Sequence, residues 1–316
     1  MNRKVYCDNS ITRIREHLER SDFRYITYPK FFFLCGKGFD KSDKDAYKRS
    51  NRGIIHSYIQ KLIPDAKIVL SEQLWEDGFD QNIDLLVFEE FLAEVSDVII
   101  LFVESPGAYC ELGAFAYADA LFSDKLIVVM DEKYRNGSSF ISTGPVLKAK
   151  SDGSKVLYAP IKNGALLSSD ELRSAIISLT NDLKYKRSPM NKRAVNKGNN
   201  VFIRSFIAEI IELLKLVQPI QIADLIPLYK QIKGFDSFTL VNRAGNEFKR
   251  EIKIQYIIKL LQTAEIIESI GERELEVIRL CNYKKIQNLM LRYYGNGMDR
   301  ERNRLLCRKY RYGEFI

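Results

Sequence analysis

The first half of the chain places its apolar residues in short continuous runs separated by helically spaced groups. Phe31–Cys35, Val98–Val103 and Leu126–Met130 are continuous apolar runs, which are typical of strands buried on both faces of a sheet. Between them, apolar residues recur at helical spacing in Lys44–Leu62 and Ile83–Glu94. This alternation predicts an α/β domain with a doubly wound parallel sheet, for which we expect a flavodoxin-like strand order.

The second half has a different pattern. Val201–Val217, Pro219–Ile232 and Glu247–Ala264 have the apolar spacing of three helices, and Ile266–Val277 has the pattern of a small hairpin around Gly271. Three helices followed by a hairpin predict a winged-helix domain. A plain helical bundle is the alternative that this pattern leaves open.

A basic segment separates these halves. Lys184–Arg204 contains seven basic residues and no acidic one, which is typical of a linker. We therefore predict an α/β domain at 1–185, a linker at 186–200, a winged-helix-like domain at 201–282 and a tail at 283–316.

Charge is distributed unevenly between the halves. Residues 1–150 have 20 Lys and Arg against 23 Asp and Glu, a net charge of −3, whereas residues 151–316 have 29 against 18, a net charge of +11. A basic half suggests nucleic-acid binding, although solvated surface lysines would give the same count. The candidate contacts are Lys249, Arg250, Lys253 and Arg273. The tail combines nine Lys and Arg with five Tyr, which suits either single-stranded nucleic acid or packing against protein.

Several classes of protein have little support. The apolar runs are far shorter than the ~18 residues of a membrane span, and the amino terminus lacks the apolar core of a signal peptide. The five cysteines form no CxxC pair, and the two histidines fall in no metal or catalytic motif. We therefore expect a cytoplasmic protein without a metal site or a bound cofactor.

The candidate chemistry lies where the apolar strand Val98–Val103 ends. Ser105, Pro106 and Gly107 form a turn before a predicted helix, and Glu111 would lie in its first turn. In open α/β sheets, ligands bind at the carboxyl ends of the strands. The turn after the first strand, with Cys35, Gly36 and Lys37, would face this one and complete a crevice for a sugar or phosphate.

Three acids are the candidates for catalysis in that crevice. Glu111 follows the turn, Glu104 ends the strand, and Glu89 lies on the preceding helix. Carboxylates around a ribosyl group can act as nucleophile, as stabiliser of an oxocarbenium ion or as acid and base. The alternatives are a helix-dipole acid for Glu111 and surface acids for the other two.

The segments FFLCGKGF and SDVIILFVESPGAYCELGAF resemble the nucleoside deoxyribosyltransferase family. The resemblance implies that Glu111, in the ELG motif, is the nucleophile. It also implies that Glu104 and Glu89 fall near the two further acids of the family's site, with Glu89 as Glu in place of Asp.

Over nearly its full length, the chain also resembles the effector proteins of bacterial anti-phage retrons. The matching segments are FLCG, LAEVSDVIILFVESPGAYCELGAF, SFISTGPV and the winged-helix-like second half. The resemblance implies a toxic N-glycosidase whose substrate is NAD or another nucleotide. It also implies partners, namely a retron reverse transcriptase and its branched RNA-linked single-stranded DNA (msDNA), and higher-order assembly such as filaments.

Two other functions remain open at this point. One is a catalytically silent regulator that senses a nucleotide through its first domain and binds nucleic acid through its second. The other is a true nucleoside deoxyribosyltransferase, which would need a free base as acceptor.

Overall fold

The computed structural model divides the chain into two compact units. It describes residues 8–26, 30–40, 42–43, 45–75, 85–117, 122–162, 164–185, 188–189, 199–248, 252–271, 276–281 and 291–293. One unit is Pro29–Lys186, and the other combines Met1–Tyr28 with Arg187–Ile316. The predicted first domain began at residue 1, whereas the structure groups the amino-terminal segment with the second unit. The amino-terminal segment belongs to that unit because its first helix packs against two of the unit's later helices.

The described helices, in chain order, are α1 Asp8–Arg20, α2 Ala46–Arg49, α3 Asn51–Leu62, α4 Ser71–Trp75, α5 Leu85–Val95, α6 Pro106–Tyr117, α7 Phe140–Thr143, α8 Pro145–Ser151, α9 Asp170–Tyr185, α10 Ile203–Val217, α11 Ile222–Lys233 and α12 Ile254–Thr263. The described strands are β1 Ser21–Ile26, β2 Phe31–Cys35, β3 Lys67–Val69, β4 Val98–Phe102, β5 Leu126–Asp131, β6 Lys155–Ala159, β7 Ser188–Pro189, β8 Asn200–Phe202, β9 Ile220–Gln221, β10 Thr239–Val241, β11 Ile267–Ile270, β12 Val277–Leu280 and β13 Leu291–Tyr293.

The unit Pro29–Lys186 is built on a five-stranded parallel sheet with the order β3-β2-β4-β5-β6. The predicted parallel α/β sheet is therefore confirmed. Numbered along the chain, its strands lie in the order 2-1-3-4-5. The direction of winding reverses between β2 and β4, and a crevice opens at such a reversal, beyond the carboxyl ends of the two strands.

Helices cover both faces of this sheet. Alternate residues of β2 point to opposite faces, as the period of a strand requires. Phe32 and Leu34 join a buried core with residues of α3 and α9, whereas Phe33 stacks edge-on against Phe115 of α6, with ring centroids 6.4 Å apart. Burial on both faces explains why these strands are continuous apolar runs in the sequence.

Two helices differ from the sequence prediction near the carboxyl edge. The predicted helix Lys44–Leu62 is interrupted at Ser50, whose extended backbone and side chain cap α3 by accepting a hydrogen bond from the Gly53 amide. Helix α6 starts at Pro106, inside the segment predicted as a turn before the helix, because Pro suits the first helical position and Ser105 accepts from the Ala108 amide. Glu111 consequently lies in the second turn of α6.

The other unit contains α10, α11 and α12 around a small antiparallel sheet of order β11-β12-β9. The predicted hairpin is present, with its second strand at Val277–Leu280. Every residue of α10 from Ser205 to Val217 is buried, and its Glu209 accepts from Tyr229 Oη at 2.6 Å and pairs with Lys233 Nζ. A helix buried on all sides needs such partners for its charges.

Candidate active site

A cleft of about 440 Å³ opens at the carboxyl edge of the sheet, beside the ends of β2 and β4. Four of the described helices, α3, α4, α5 and α6, contribute to it, because a helix that follows a parallel strand begins near the carboxyl edge of the sheet. The charged residues that line it are Arg52, Glu72, Glu89 and Glu111. Gly36, Gly38, Gly107 and Phe39 form further parts of its wall.

Glu89 of α5 and Glu111 of α6 share a hydrogen bond within this cleft. Burial raises the pKa of Glu89 to about 8, and the charge of Glu111 and the hydrogen bond between the two acids add to this rise. Burial also raises the pKa of Glu111 to about 7, whereas the hydrogen bond from Glu89 and the charge of Arg52 act against the rise. Between about pH 7 and pH 8 the pair therefore holds about one proton, which favours Glu89 as the acid with the higher pKa.

One oxygen of Glu111 has no hydrogen-bond partner. Its Oε2 atom is buried and is not bonded to any other described residue. A buried carboxylate oxygen without a donor costs free energy, and such unsatisfied groups in a cleft are common where a ligand completes the bonding. Glu111 also lines the cleft, and this position places it to contact a bound molecule.

Arg52 and Glu72 complete the charged wall, and the sequence analysis did not identify either of them. The Arg52 side chain is only 2% exposed, and its Nη2 atom lies 2.6 Å from Glu72 Oε1 and donates to the Lys37 carbonyl at 2.8 Å. Its guanidinium lies over the Phe39 ring, 5.6 Å from the centroid. A buried arginine within an amphipathic helix pattern has no sequence signature, so the pattern of the chain did not identify it.

Glu104 lies at the same edge but has different surroundings. Its Oε1 atom accepts from the Lys37 amide at 3.2 Å, and its Oε2 atom accepts from Asn51 Nδ2 at 2.6 Å. Asn51 also donates to the carbonyl of Ile161. Both oxygens of Glu104 are thus engaged in holding the loop after β2, and this acid does not line the cleft of Glu89 and Glu111.

A second cleft of about 890 Å³ lies on the other side of that loop, and Glu104 lines it. The two clefts share Gly38 and Phe39. Lys37, Lys48 and Arg49 supply positive charge to the second cleft. Asp40 and Glu104 line it as well, and Lys48 and Arg49 pair with Asp45 and Asp43. The second cleft therefore holds charges of both signs, whereas three of the four charged residues that line the first cleft are acids.

The substrate-binding candidates are distributed as follows. Gly36 and Gly107 line the first cleft, and Lys37 lines the second. Gly36 has φ +152°, and a Cβ atom there would lie 3.1 Å from Glu104 Oε1 and 3.2 Å from Phe102 Cβ, so the position requires glycine. Cys35 is buried in the sheet and lines neither cleft, and Ser105 and Pro106 form the start of α6 instead of cleft wall.

Of the nucleic-acid candidates, the structure describes only Lys253, an exposed residue at the amino end of α12. Lys249, Arg250, Arg273 and most of the tail lie outside the described residues. Within the described residues, no group of three or more His, Cys, Asp or Glu is arranged to hold a metal ion. No helix in the same part of the chain has the length and apolar character needed to cross a membrane.

Comparison with known proteins matches both units. The family model described as "STM3845 retron effector protein" matches residues 48–269, a range that includes all the cleft acids. The chain is 30% identical over 300 residues to the Escherichia coli "Retron Ec86 putative ribosyltransferase/DNA-binding protein", covering 89% of this chain and 92% of that protein. It is 26% identical over 219 residues to the E. coli "Retron Ec73 putative ribosyltransferase/DNA-binding protein", covering 66% and 68%. The chain therefore belongs to the retron effector family.

Proposed function

We propose that this retron effector is an N-glycosidase that cleaves the bond between ribosyl C1′ and the base of NAD or another nucleotide. The observation that supports this most is the buried pair of Glu89 and Glu111, with one carboxylate oxygen of Glu111 unbonded. The names of the two E. coli relatives, which refer to ribosyl transfer, agree with chemistry at a ribosyl carbon.

The protonation of the pair suits such a reaction. Glu111, as the ionised member, attacks C1′ or stabilises the oxocarbenium ion while the C1′–N bond breaks and the base leaves with the electron pair. Nicotinamide leaves as a neutral molecule, whereas a purine or pyrimidine requires a proton, which Glu89 can supply. Water then adds to C1′, and its proton passes to a carboxylate of the pair.

The clefts suggest how the rest of a nucleotide is held. The acids of the first cleft suit a ribose, because carboxylates accept hydrogen bonds from hydroxyl groups. The cations Lys37, Lys48 and Arg49 of the second cleft suit phosphates. Gly36 and Gly107 have no side chain, so the sugar can approach the backbone closely at these two positions.

The second unit would join the effector to the retron's nucleic acid. Its order of elements, α10-β9-α11-β10-α12-β11-β12, with β9, β11 and β12 in one antiparallel sheet, supports a winged-helix domain. The partners we propose are the reverse transcriptase and its msDNA, which would restrain the effector, and higher-order assembly such as filaments. Replacing Lys249, Arg250 and Lys253 by Glu should weaken msDNA binding and reduce its salt dependence.

Product analysis tests the proposed function. The purified full-length chain, alone and with reverse transcriptase and msDNA, is incubated with NAD, nucleotides and nucleosides, and products are identified by mass spectrometry. We expect free base from NAD or a nucleotide without any acceptor base. An exchanged nucleoside that forms only with added base would indicate a transferase, and nucleotide binding without base release in every combination would indicate a sensor.

A further inference from the structure

Two consecutive residues at the start of α3 hold the loop after β2. Arg52 Nη2 donates to the Lys37 carbonyl at 2.8 Å, and Asn51 holds Glu104, which accepts from the Lys37 amide. Both polar groups of the Lys37 backbone are therefore fixed by this helix end. The two attachments differ in charge, because only Arg52 brings a cation into the cleft of the glutamate pair.

Arg52 is strongly restrained by its surroundings. Its side chain is nearly fully buried between Phe39, Glu72 and the Lys37 carbonyl, and its Nε atom has no hydrogen-bond partner among the described residues. Breaking a buried ion pair by removing one partner is costly, so a cation kept here in an incompletely bonded state suggests a role beyond packing.

We propose that Arg52 is a positioning residue for the glutamate pair, which directs the negative charge of the pair onto Glu111 and fixes the wall of the cleft through Lys37. This inference rests on the proposed function. It assigns to Arg52 no contact with the substrate. Its effect passes through the charge of Glu111 and through the position of the loop.

The charged groups around Glu111 define the electrostatic argument. Glu89 from α5, Glu72 from α4 and Arg52 from α3 face it in the cleft, and Cys35 of β2 lies near the pair with its thiol pKa raised by burial and by both acids. Arg52 lowers the pKa of Glu111, whereas Glu72 raises it. The cation therefore favours the ionised form of the acid that must attack, and Glu72 limits this effect.

The two charges give predictions of opposite sign. Replacing Arg52 by Gln removes a cation, so Glu111 should ionise at higher pH, and the acid limb of the kcat profile should move up by about one pH unit. Arg52→Lys keeps the positive charge, so it should return the acid limb most of the way to its wild-type pH. Glu72→Gln removes an anion and should move the acid limb to lower pH. Asn51→Ala loosens the same loop without changing charge and should leave the position of the limb unchanged.

The experiment records kcat for base release between pH 5 and 9 for the full-length chain and these variants. Folding is checked by circular dichroism, and Glu72→Gln provides the test if Arg52→Gln does not fold. An equal loss of activity at every pH in Arg52→Gln, or an unmoved limb in Glu72→Gln, would overturn the proposal.

A titration separates this inference from the proposed function. The carboxyl carbon of Glu111 is followed by 13C NMR in wild type, Arg52→Gln and Glu72→Gln, with Glu111→Gln as the assignment control. If the wild type releases no base, the proposed function fails, but opposite shifts of the Glu111 titration would still support the role of Arg52. Identical titration in all three proteins would contradict it.

Discussion

Glu111 and Glu104 lie at the same edge of one sheet, yet their surroundings differ. Glu111 has a raised pKa, a hydrogen bond to Glu89 and a buried oxygen without a partner. Glu104 has both oxygens bonded to the Lys37 amide and to Asn51. We propose from this difference that Glu111 meets the substrate, whereas Glu104 positions its neighbours.

The largest expected difference between these acids is in cell survival. In cells that contain the retron and are challenged with phage, Glu111→Gln should abolish effector killing, because an amide at this position can neither attack C1′ nor stabilise a cation. Glu104→Gln should retain at least part of the killing. The measurement is the viable count and cellular NAD after challenge. Equal loss of killing in both variants would remove the distinction between the two acids.

The sequence predicted where the site lies in the fold better than it predicted which residues form the site. The strands β2, β4 and β5 were visible as continuous apolar runs, because burial on both faces leaves no polar alternation. The rules of parallel sheets then predicted that these strands are neighbours. Glu111 was a candidate because it follows β4 in the chain. These steps depend only on local pattern and on topology.

The missing parts depend on contacts between residues that are distant in sequence. Arg52 and Glu72 are charged residues in helices, and the sequence gives no sign that they meet in a cleft. The bonded state of Glu104 depends on Asn51, 53 residues away in the chain, and through it on the carbonyl of Ile161. The break at Ser50 was missed because residues 48–53 contain no apolar residue, so apolar spacing carries no information about the backbone there.

The second expected difference is in stability, between Glu89 of the buried pair and Glu104. Replacing each acid by Gln should change the free energy of unfolding in opposite directions. The pKa of Glu89 in the folded state is about 8, well above the ordinary glutamate value of 4.5, so the folded state binds more protons than the unfolded state between these two pH values. Stability attributable to Glu89 therefore decreases as pH rises through this window. Glu89→Gln should raise the free energy of unfolding at pH 8.5 by about 1–2 kcal/mol and have little effect at pH 4.5.

Glu104→Gln should instead lower the free energy of unfolding by about 1–3 kcal/mol, because the new amide cannot accept from both Lys37 and Asn51. Urea unfolding at the two pH values measures both effects. Glu90→Gln is the matched control, since Glu90 is the partly buried neighbour of Glu89 on α5. Destabilisation by Glu89→Gln at pH 8.5 would argue against a buried, strained pair.

The smallest expected effect concerns the two clefts. Lys37→Ala keeps the backbone contacts of Lys37 but removes one cation from the second cleft. We expect KM for a phosphate-bearing nucleotide to rise about three- to tenfold, with kcat unchanged and with no effect on a nucleoside. Lys61→Ala, on the exposed last turn of α3, is the control. A matching rise for the nucleoside would indicate that the second cleft does not hold phosphate.

The most direct test of the glutamate pair as the catalytic centre is a side-by-side turnover measurement. Wild type, Glu111→Gln and Glu104→Gln are purified as full-length chains, assembled with the retron partners and supplied with the nucleotide that gives the most free base. We predict that Glu111→Gln lowers kcat by at least about a thousandfold while Glu104→Gln lowers it by about tenfold or less. Turnover by Glu111→Gln within about tenfold of wild type would contradict the account.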